Sequence, residues 1–494
     1  MRDYREVSCK SEDMNMMYFE KNSQYKNRIM LIDDKGSKVT YADLDHFSEK
    51  ASYYLKPRKL LFLLCENTIG SIMTYLSSLR NKVVPLLLDA HMENDMLKNL
   101  CDIYKPDYIA IPENMGISID ESKLLFHEYK YDFYYIDQQE ETILNDEIAL
   151  LMTTSGSTGG AKLVRQSYKN IDSNAKSIAE YLNLTEEERP ITTLPMNYTY
   201  GLSIINSHIL VGATILLTKY SLFEKEFWNF LKGQKATSFG GVPYTYQILR
   251  RLGFTKMDFP SLKTITQAGG KLPERLHREF AEYAKKNEKT FIVMYGQTEA
   301  TARMSYLPFQ YSLEKCGSIG LAIPGGEFSI IDDDGKEITT VDTIGELIYR
   351  GPNVTLGYAK ERSDLAKGDA RKGVLFTGDL AKRDSDGFYY IVGRKKRFLK
   401  IYGNRVNLDE VEQLLKQRFE DIDVACTGVD DKLFIAVISE THDIENEMIK
   451  YLQEKTRLNP HAFSVAFVDE IPKNKSGKTL YKELKEILER KFNE

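Results

Sequence analysis

The sequence predicts an α/β protein that ends in a small α+β unit, and three observations carry that reading. Apolar strands alternate with helical segments through the first 268 residues. From about residue 310 the texture changes to short strands and tight turns, and the last hundred or so residues mix helices with strands.

The elements follow in order. "VTYADLDHFSEKASYYL" (39–55) sets a threonine ahead of an apolar-periodic run, the pattern of a capped amphipathic helix. "KLLFLLC", "NTIGSIMTYLSSLRN" and "KVVPLLLD" then read as strand, helix and strand, the unit of a parallel sheet. The alternation recurs at 191–217, where "ITTLP" leads through a glycine-punctuated helix to "ATILLT", and again at 236–268. Beyond 310, "FSIIDDDGKEI", "GELIYRG" and "LFTGDLAKRDSDGFYYIVG" are short strands, with hairpin signals in the Asp-Gly pairs at 334–335 and 386–387. A domain boundary is expected at residue 393, where a glycine precedes the basic run "RKKRFLK". This gives a core over 1–393 and a carboxyl-terminal unit over 394–494 with helices "LDEVEQLLKQRF" and "IENEMIKYLQEKT" and strands "LFIAVIS" and "SVAFVDE".

Composition narrows the function classes. A net charge of −5 gives no electrostatic case for a nucleic-acid partner. Five cysteines without a C-x-x-C pair argue against a disulfide framework and a structural zinc site, and suit a reducing cytoplasmic setting. The first twenty residues are charged and lack the apolar core of a signal peptide. Apolar runs such as "LLFLLC" fall far short of the ~18 residues a membrane span requires, so no transmembrane segment is expected.

Four stretches carry chemistry. In "LLMTTSGSTGGAKLV" an apolar strand runs into hydroxyl and glycine residues and then a lysine. Glycines let successive N–H groups converge on phosphate oxygens, and Ser and Thr add donors. In "MYGQTEAT", Tyr295 offers a ring for a purine, Thr298 a donor for phosphate, and Glu299 a hard oxygen ligand for the Mg²⁺ that accompanies ATP. A Thr-Glu pair also opens ordinary helices. In "FTGDL", Asp379 follows what reads as a glycine turn and can accept ribose hydroxyls, although aspartate in a turn is also a common backbone cap. The basic run "GRKKRFLKIYGNRVN" (393–407) fits a hinge followed by a glycine-tipped hairpin as well as a charged surface face.

A fifth stretch, "IPKNKSGKTLYKEL" (471–484), looks like the tail of a phosphate loop and is not one. In G-x-x-x-x-G-K-[ST] the first glycine lets the chain wrap the phosphates; counting back from Gly477, that position holds Pro472, which has no N–H. Lys478 is therefore either a solvated lysine or a mobile cation serving a site built elsewhere.

Seven motifs in this order resemble the adenylate-forming enzymes, the family of acyl-CoA synthetases, stand-alone adenylation domains and luciferases: "TTSGSTGGAKLV", "LPMNYTYGL", "MYGQTEAT", "GELIYRGPNVTLGY", "FTGDL", "GRKKRFLKIYGNRVN" and "PKNKSGKT". The likeness runs from about residue 39 to 484. It implies a large amino-terminal core of helix-flanked sheets plus a distorted β-barrel, and a small mobile domain hinged near Lys396. It also implies that Thr153, Thr154, Ser155, Gly156, Ser157, Thr158, Gly159 and Lys162 hold the ATP phosphates. Tyr295, Thr298, Glu299, Asp379 and Arg394 would complete the nucleotide site, with Lys478 as the adenylation lysine. The implied activity joins a carboxylic acid, through an acyl adenylate, to the thiol of CoA or of a separate acyl carrier protein.

The sequence departs from the common family pattern at Ala161 and Leu163, which flank the loop lysine, and at Lys396, where many members have aspartate. Members that activate amino acids place an aspartate in the segment matching "LPMNYTYGLS"; here there is none, and a buried ammonium without a carboxylate is costly, which disfavours a free amino acid. Tyr198 stands where acyl-CoA synthetases often carry histidine. Gly240, Gly241, Gly269 and Gly270 read either as volume for an extended apolar acyl chain or as turn geometry. A fatty or aryl acid is favoured. An amino acid–carrier protein ligase, a luciferase-type oxidase and a non-catalytic nucleotide sensor are the rival readings.

Overall fold

The structure is a computed structural model describing residues 17, 20, 23–113, 115, 122–137, 142–153, 162–395, 397–419, 422–439, 443–473 and 477–493, with backbone alone at 404, 405 and 493.

The apolar runs of the first half are strands because they are buried on both faces, as interior parallel strands are. All six residues of Leu60–Cys65 are buried, and this strand pairs in parallel with Val84–Asp89 and with Tyr108–Pro112. Among the described residues, an eight-stranded sheet runs from Gly357–Ala359 through Leu163–Ser167, Ile148–Thr153, Val84–Asp89, Leu60–Cys65, Tyr108–Pro112 and Tyr131–Ile136 to Ser122–Glu128. A nine-stranded sheet contains the parallel trio Ser238–Gly241, Thr264–Gln267 and Thr290–Tyr295.

Helices Ile69–Arg80 and Thr199–Leu210 are buried at all but one position each, too apolar all round for a surface helix. One continuous core cluster joins Leu61 and Leu63 of one sheet to Met30 and Leu31 of the other through Ile72, Met73 and Leu76, so the first of these helices is clamped between the sheets. The expected helix Tyr41–Tyr54 begins at Thr40, whose hydroxyl accepts from the Asp43 amide while the Asp43 carboxylate accepts from the Thr40 amide.

Where the resemblance implied a barrel, a four-stranded antiparallel sheet stands in the order Glu327–Ile331, Gly345–Arg350, Val374–Arg383, Tyr389–Arg394. The Asp-Gly pair at 386–387 makes the tight turn between its last two strands, with Gly387 at φ 89°. Gly378 differs from its sequence reading. It lies inside the strand Val374–Arg383, at φ 69°, where the pairing with Gly345–Arg350 shifts register. The residue makes a bulge that re-aims Asp379 instead of ending the strand.

The smaller domain has its own core of Val411, Leu415, Cys426, Ile435, Val437, Met448 and Leu452. Its three-stranded sheet, Asp423–Val429, Lys432–Ile438 and Phe463–Phe467, accompanies helices Leu408–Arg418, Glu445–Thr456 and Tyr481–Asn493. The glycine-tipped hairpin is present: Phe398–Ile401 pairs with Asn404–Asn407 around Tyr402 and Gly403 at φ 49° and 83°.

Candidate active site

Three parallel strands end together at Gly241, Gln267 and Tyr295, and the carboxyl ends of such strands are where α/β proteins bind ligands. Past Tyr295 the chain doubles back so closely that a Cβ on Gly296 would lie 1.7 Å from the Ala302 carbonyl oxygen, which only glycine permits. The Thr298–Ala300 turn follows, and then Thr301 at φ 66°, an unusual conformation for a β-branched residue, pinned by its hydroxyl donating to Asn353 O at 2.7 Å.

Asp379 is 4% exposed yet its carboxylate is well served. The Tyr295 hydroxyl donates to Oδ2 at 2.5 Å, Gln297 Nε2 donates to the same oxygen at 2.8 Å, and Arg394 Nε lies 3.2 Å from Oδ1. Asp379 and Arg394 are direct cross-strand partners. Burial, reinforced by the Asp379 charge, holds the Tyr295 phenol well above its usual pKa, so it remains a donor. A carboxylate offers about four acceptor positions, so one remains on the Oδ1 side for a hydroxyl.

Glu299 sits on the opposite side of the turn. The Tyr358 hydroxyl donates to its Oε1 at 2.6 Å, while Thr355 N–H and Thr355 Oγ1 donate to its backbone carbonyl at 3.0 and 2.9 Å. Thr298 Oγ1 is 3.4 Å from Thr199 Oγ1, which opens the buried helix Thr199–Leu210. Lys162 Nζ stands 3.2 Å from the centroid of the Tyr358 ring. Thr153 pairs with Leu163 across the adjoining strands, so both ends of the glycine-rich loop are fixed. Thr154, Ser155, Gly156, Ser157, Thr158 and Gly159 lie outside the described residues, as does Lys396.

The small domain closes the arrangement. Lys478 is exposed as a residue, yet its ammonium is crowded enough to lose solvation, which lowers its pKa. Arg394 lowers it further, while Asp379 and Glu299 oppose, so the lysine lies in the field of all three groups. The turn carrying it rests on the core through Gly477, at φ 74°, where a Cβ would come within 2.9 Å of Tyr244 Cβ. Lys271 Nζ donates to Gln413 Oε1 at 2.9 Å and Lys395 Nζ to Glu346 Oε2 at 2.7 Å, further ties between the two parts.

The residues expected on the acyl side lie close together, and the surroundings of the four glycines favour the turn-geometry reading. Built Cβ atoms would meet Tyr200 Oη at 2.8 Å from Gly240, Thr245 Cγ2 at 2.7 Å from Gly241, Tyr198 Oη at 2.5 Å from Gly269 and Pro243 Cγ at 3.2 Å from Gly270. The space these glycines free is filled by the chain itself, so they do not testify to room for a long acyl chain. Burial pushes the Tyr198 phenol up to about 12, which keeps it a neutral donor near neutral pH.

Two site residues escaped the sequence reading. Gln297 lay inside a quoted motif without a role, and Tyr358 is 59 residues from its partner Glu299. The "LGY" ending of "GELIYRGPNVTLGY" was the available signal. No group of three or more His, Cys, Asp or Glu fit to hold a metal occurs among the described residues. Mg²⁺ takes one or two carboxylates and fills its shell with water and phosphate oxygens, so the Glu299 carboxylate is chemically suited to such an ion.

A family model for the AMP-binding enzyme matches residues 18–359. The chain is 30% identical over 347 residues to the 2-succinylbenzoate–CoA ligase of Bacillus licheniformis, covering 69% of this chain and 70% of that one. It is 30% identical over 361 residues to 4-coumarate–CoA ligase-like 4 of Oryza sativa subsp. japonica, covering 70% of this chain but only 64% of that protein's length. Among solved structures, o-succinylbenzoate CoA synthetase (MenE) of Bacillus subtilis bound to the acyl-adenylate OSB-AMP matches with TM-score 0.73 at 23% identity, covering 93% of this chain and 95% of that one. A double mutant of that synthetase bound to the product analogue OSB-NCoA matches with TM-score 0.61 at 22% identity, over 92% and 95% of the two chains. The chain is an enzyme of the adenylate-forming class. It belongs to the AMP-binding enzyme family, as the seven motifs indicated.

Proposed function

We propose that this enzyme is an ATP-dependent carboxylate–thiol ligase that activates a fatty or aryl acid as its acyl adenylate and passes the acyl group to CoA. The observation that carries the reading is Lys478, brought by the small domain into the field of Asp379, Arg394 and Glu299. Residues 1–393 act as the core and 394–494 as the moving lid, turning about Lys396.

Each residue has a part. Thr153 and Lys162 frame the phosphate loop, Thr154 to Gly159 supply its donors, and Thr298 adds a hydroxyl. Asp379, positioned by Tyr295, Gln297 and Arg394, takes the ribose. Glu299 would hold Mg²⁺, which when bound would neutralise phosphate charge. In the first half-reaction a carboxylate oxygen of the acid bonds to the α-phosphorus and the bond to pyrophosphate breaks. Charge gathers where the two anions meet, and the Lys478 ammonium stabilises it. In the second, a thiol sulfur attacks the acyl carbonyl, AMP leaves, and Lys478 is no longer needed, which suits a residue on a part that moves.

Further support comes from the relatives, which are named CoA ligases. CoA is the acceptor favoured by those names, and the phosphopantetheine of a separate carrier protein is the alternative. No helix among the described residues is long and apolar enough to cross a membrane, and the described cysteines are free thiols, which supports work in the cytoplasm.

The test is ATP–pyrophosphate exchange against a panel of short, medium and long fatty acids, aryl acids and amino acids, followed by thiol transfer to CoA or carrier protein. Exchange with fatty or aryl acids is expected. Exchange with amino acids alone, or ATP binding without any exchange, would overturn the reading.

A further inference from the structure

We infer that Tyr358 is a positioning residue that sets Glu299 and Lys162 for the metal–nucleotide, an inference that rests on the ATP site proposed above. Its strand, Gly357–Ala359, pairs antiparallel with the strand leaving the glycine-rich loop, so Tyr358 faces Val164 and Ala359 faces Leu163. The backbone of Tyr358 is thereby fixed beside the loop exit.

From that fixed backbone the side chain reaches two groups. Its hydroxyl donates to Glu299 Oε1 at 2.6 Å, a short bond to an ionised acceptor. The face of its ring carries Lys162 Nζ at 3.2 Å. Arg371 secures the assembly from outside: its guanidinium carbon is 4.5 Å from the same ring, and it donates to the Glu299 carbonyl at 3.3 Å and to Thr355 Oγ1. Tyr358 thus contacts both the acidic and the basic member of the phosphate side.

The consequence for Glu299 is orientation. With Oε1 held by the phenol, Oε2 is the oxygen left to face a cation, and its direction is set before any ligand arrives. Such outer partners of a metal-binding carboxylate typically change metal affinity by about 10–100-fold when removed. Lys162 is seated on the face of the Tyr358 ring, a flat and uncharged surface that fixes where its ammonium starts from.

The experiment is equilibrium binding of a non-hydrolysable ATP analogue to the full chain, with and without Mn²⁺ followed by its electron paramagnetic resonance signal. Wild type, Tyr358→Phe, Tyr358→Leu, Glu299→Gln and the double variant E299Q/Y358F are compared. Tyr358→Phe, which keeps the ring, is expected to weaken Mn²⁺ binding in the ternary complex by about 10-fold. It should leave metal-free nucleotide affinity within about twofold, and it should add nothing to Glu299→Gln. Tyr358→Leu removes the seat of Lys162 as well and is expected to weaken metal-free nucleotide binding too. If Tyr358→Phe binds Mn²⁺ as wild type does, or loses as much on the Glu299→Gln background, the inference is wrong while the ATP site stands. If wild type itself shows no Mn²⁺-dependent nucleotide binding, the ATP site falls and the inference with it.

Discussion

Asp379 and Lys478 share one site and are held in opposite ways. Asp379 is buried on a strand, and Tyr295, Gln297 and Arg394 fix both its oxygens. Lys478 rides on a turn whose near contact with the core is a bare glycine against an exposed tyrosine. A group that grips the nucleotide throughout belongs in the fold, where repositioning it would unpair buried polar atoms. A group required in one half-reaction belongs on a contact weak enough to break.

That contrast can be broken most sharply at Lys478. Lys478→Ala is expected to slow pyrophosphate exchange by about 10²–10³, the usual loss for one charge-stabilising donor. Thiol transfer from supplied acyl adenylate should be spared, whereas equal loss in both half-reactions would erase the distinction. pH reports the same residue. Desolvation, then Arg394, keep its pKa below that of an ordinary lysine, so adenylation should fall as pH rises through that depressed value. The alkaline limb should vanish in Lys478→Ala. Stability moves the other way: between the depressed and ordinary values the unfolded chain binds a proton that the folded chain has lost, so this group's contribution to stability rises with pH.

Asp379→Asn should act alike on both half-reactions. Loss of bonds to a charged acceptor, about 1.5–3 kcal/mol, corresponds to roughly 10–150-fold weaker nucleotide binding, measurable by calorimetry with AMP. Gly477→Ala places a side chain at φ 74° against Tyr244, a strain of about 1–2 kcal/mol. Adenylation should drop by about tenfold while AMP affinity holds; a fall in AMP affinity would show that the turn also supports the nucleotide. Lys271→Ala removes one surface tie to Gln413 and should change either half-reaction by less than about fivefold.

Much of this was legible in the sequence because it depends on local pattern. Leu60–Cys65 is apolar throughout and became an interior strand, and Thr40 with Asp43 became a helix cap. Asp379 and Arg394 were picked out singly and turned out to be cross-strand partners. The rest depends on register and on what fills space. Gly378 looked like a turn, and only its pairing with the neighbouring strand reveals a bulge. Gly240 and Gly269 read equally as free volume or as turn geometry, and only the fold shows that Tyr200 and Tyr198, from a distant helix and its entrance, stand against them. Tyr358 meets Glu299 and Lys162 through strand pairing, which no local periodicity encodes.

The pairing of Gly357–Ala359 with Leu163–Ser167 also bears on how the molecule is made. Val164 waits about 190 residues for Tyr358, which at roughly 5–20 residues per second of synthesis is about 10–40 s on a ribosome. During that interval the strand leaving the loop is paired on one side only, and such a bare edge invites wrong partners. A nascent chain therefore meets its aggregation hazard at the phosphate side, before the nucleotide that the finished site is built to hold can protect it.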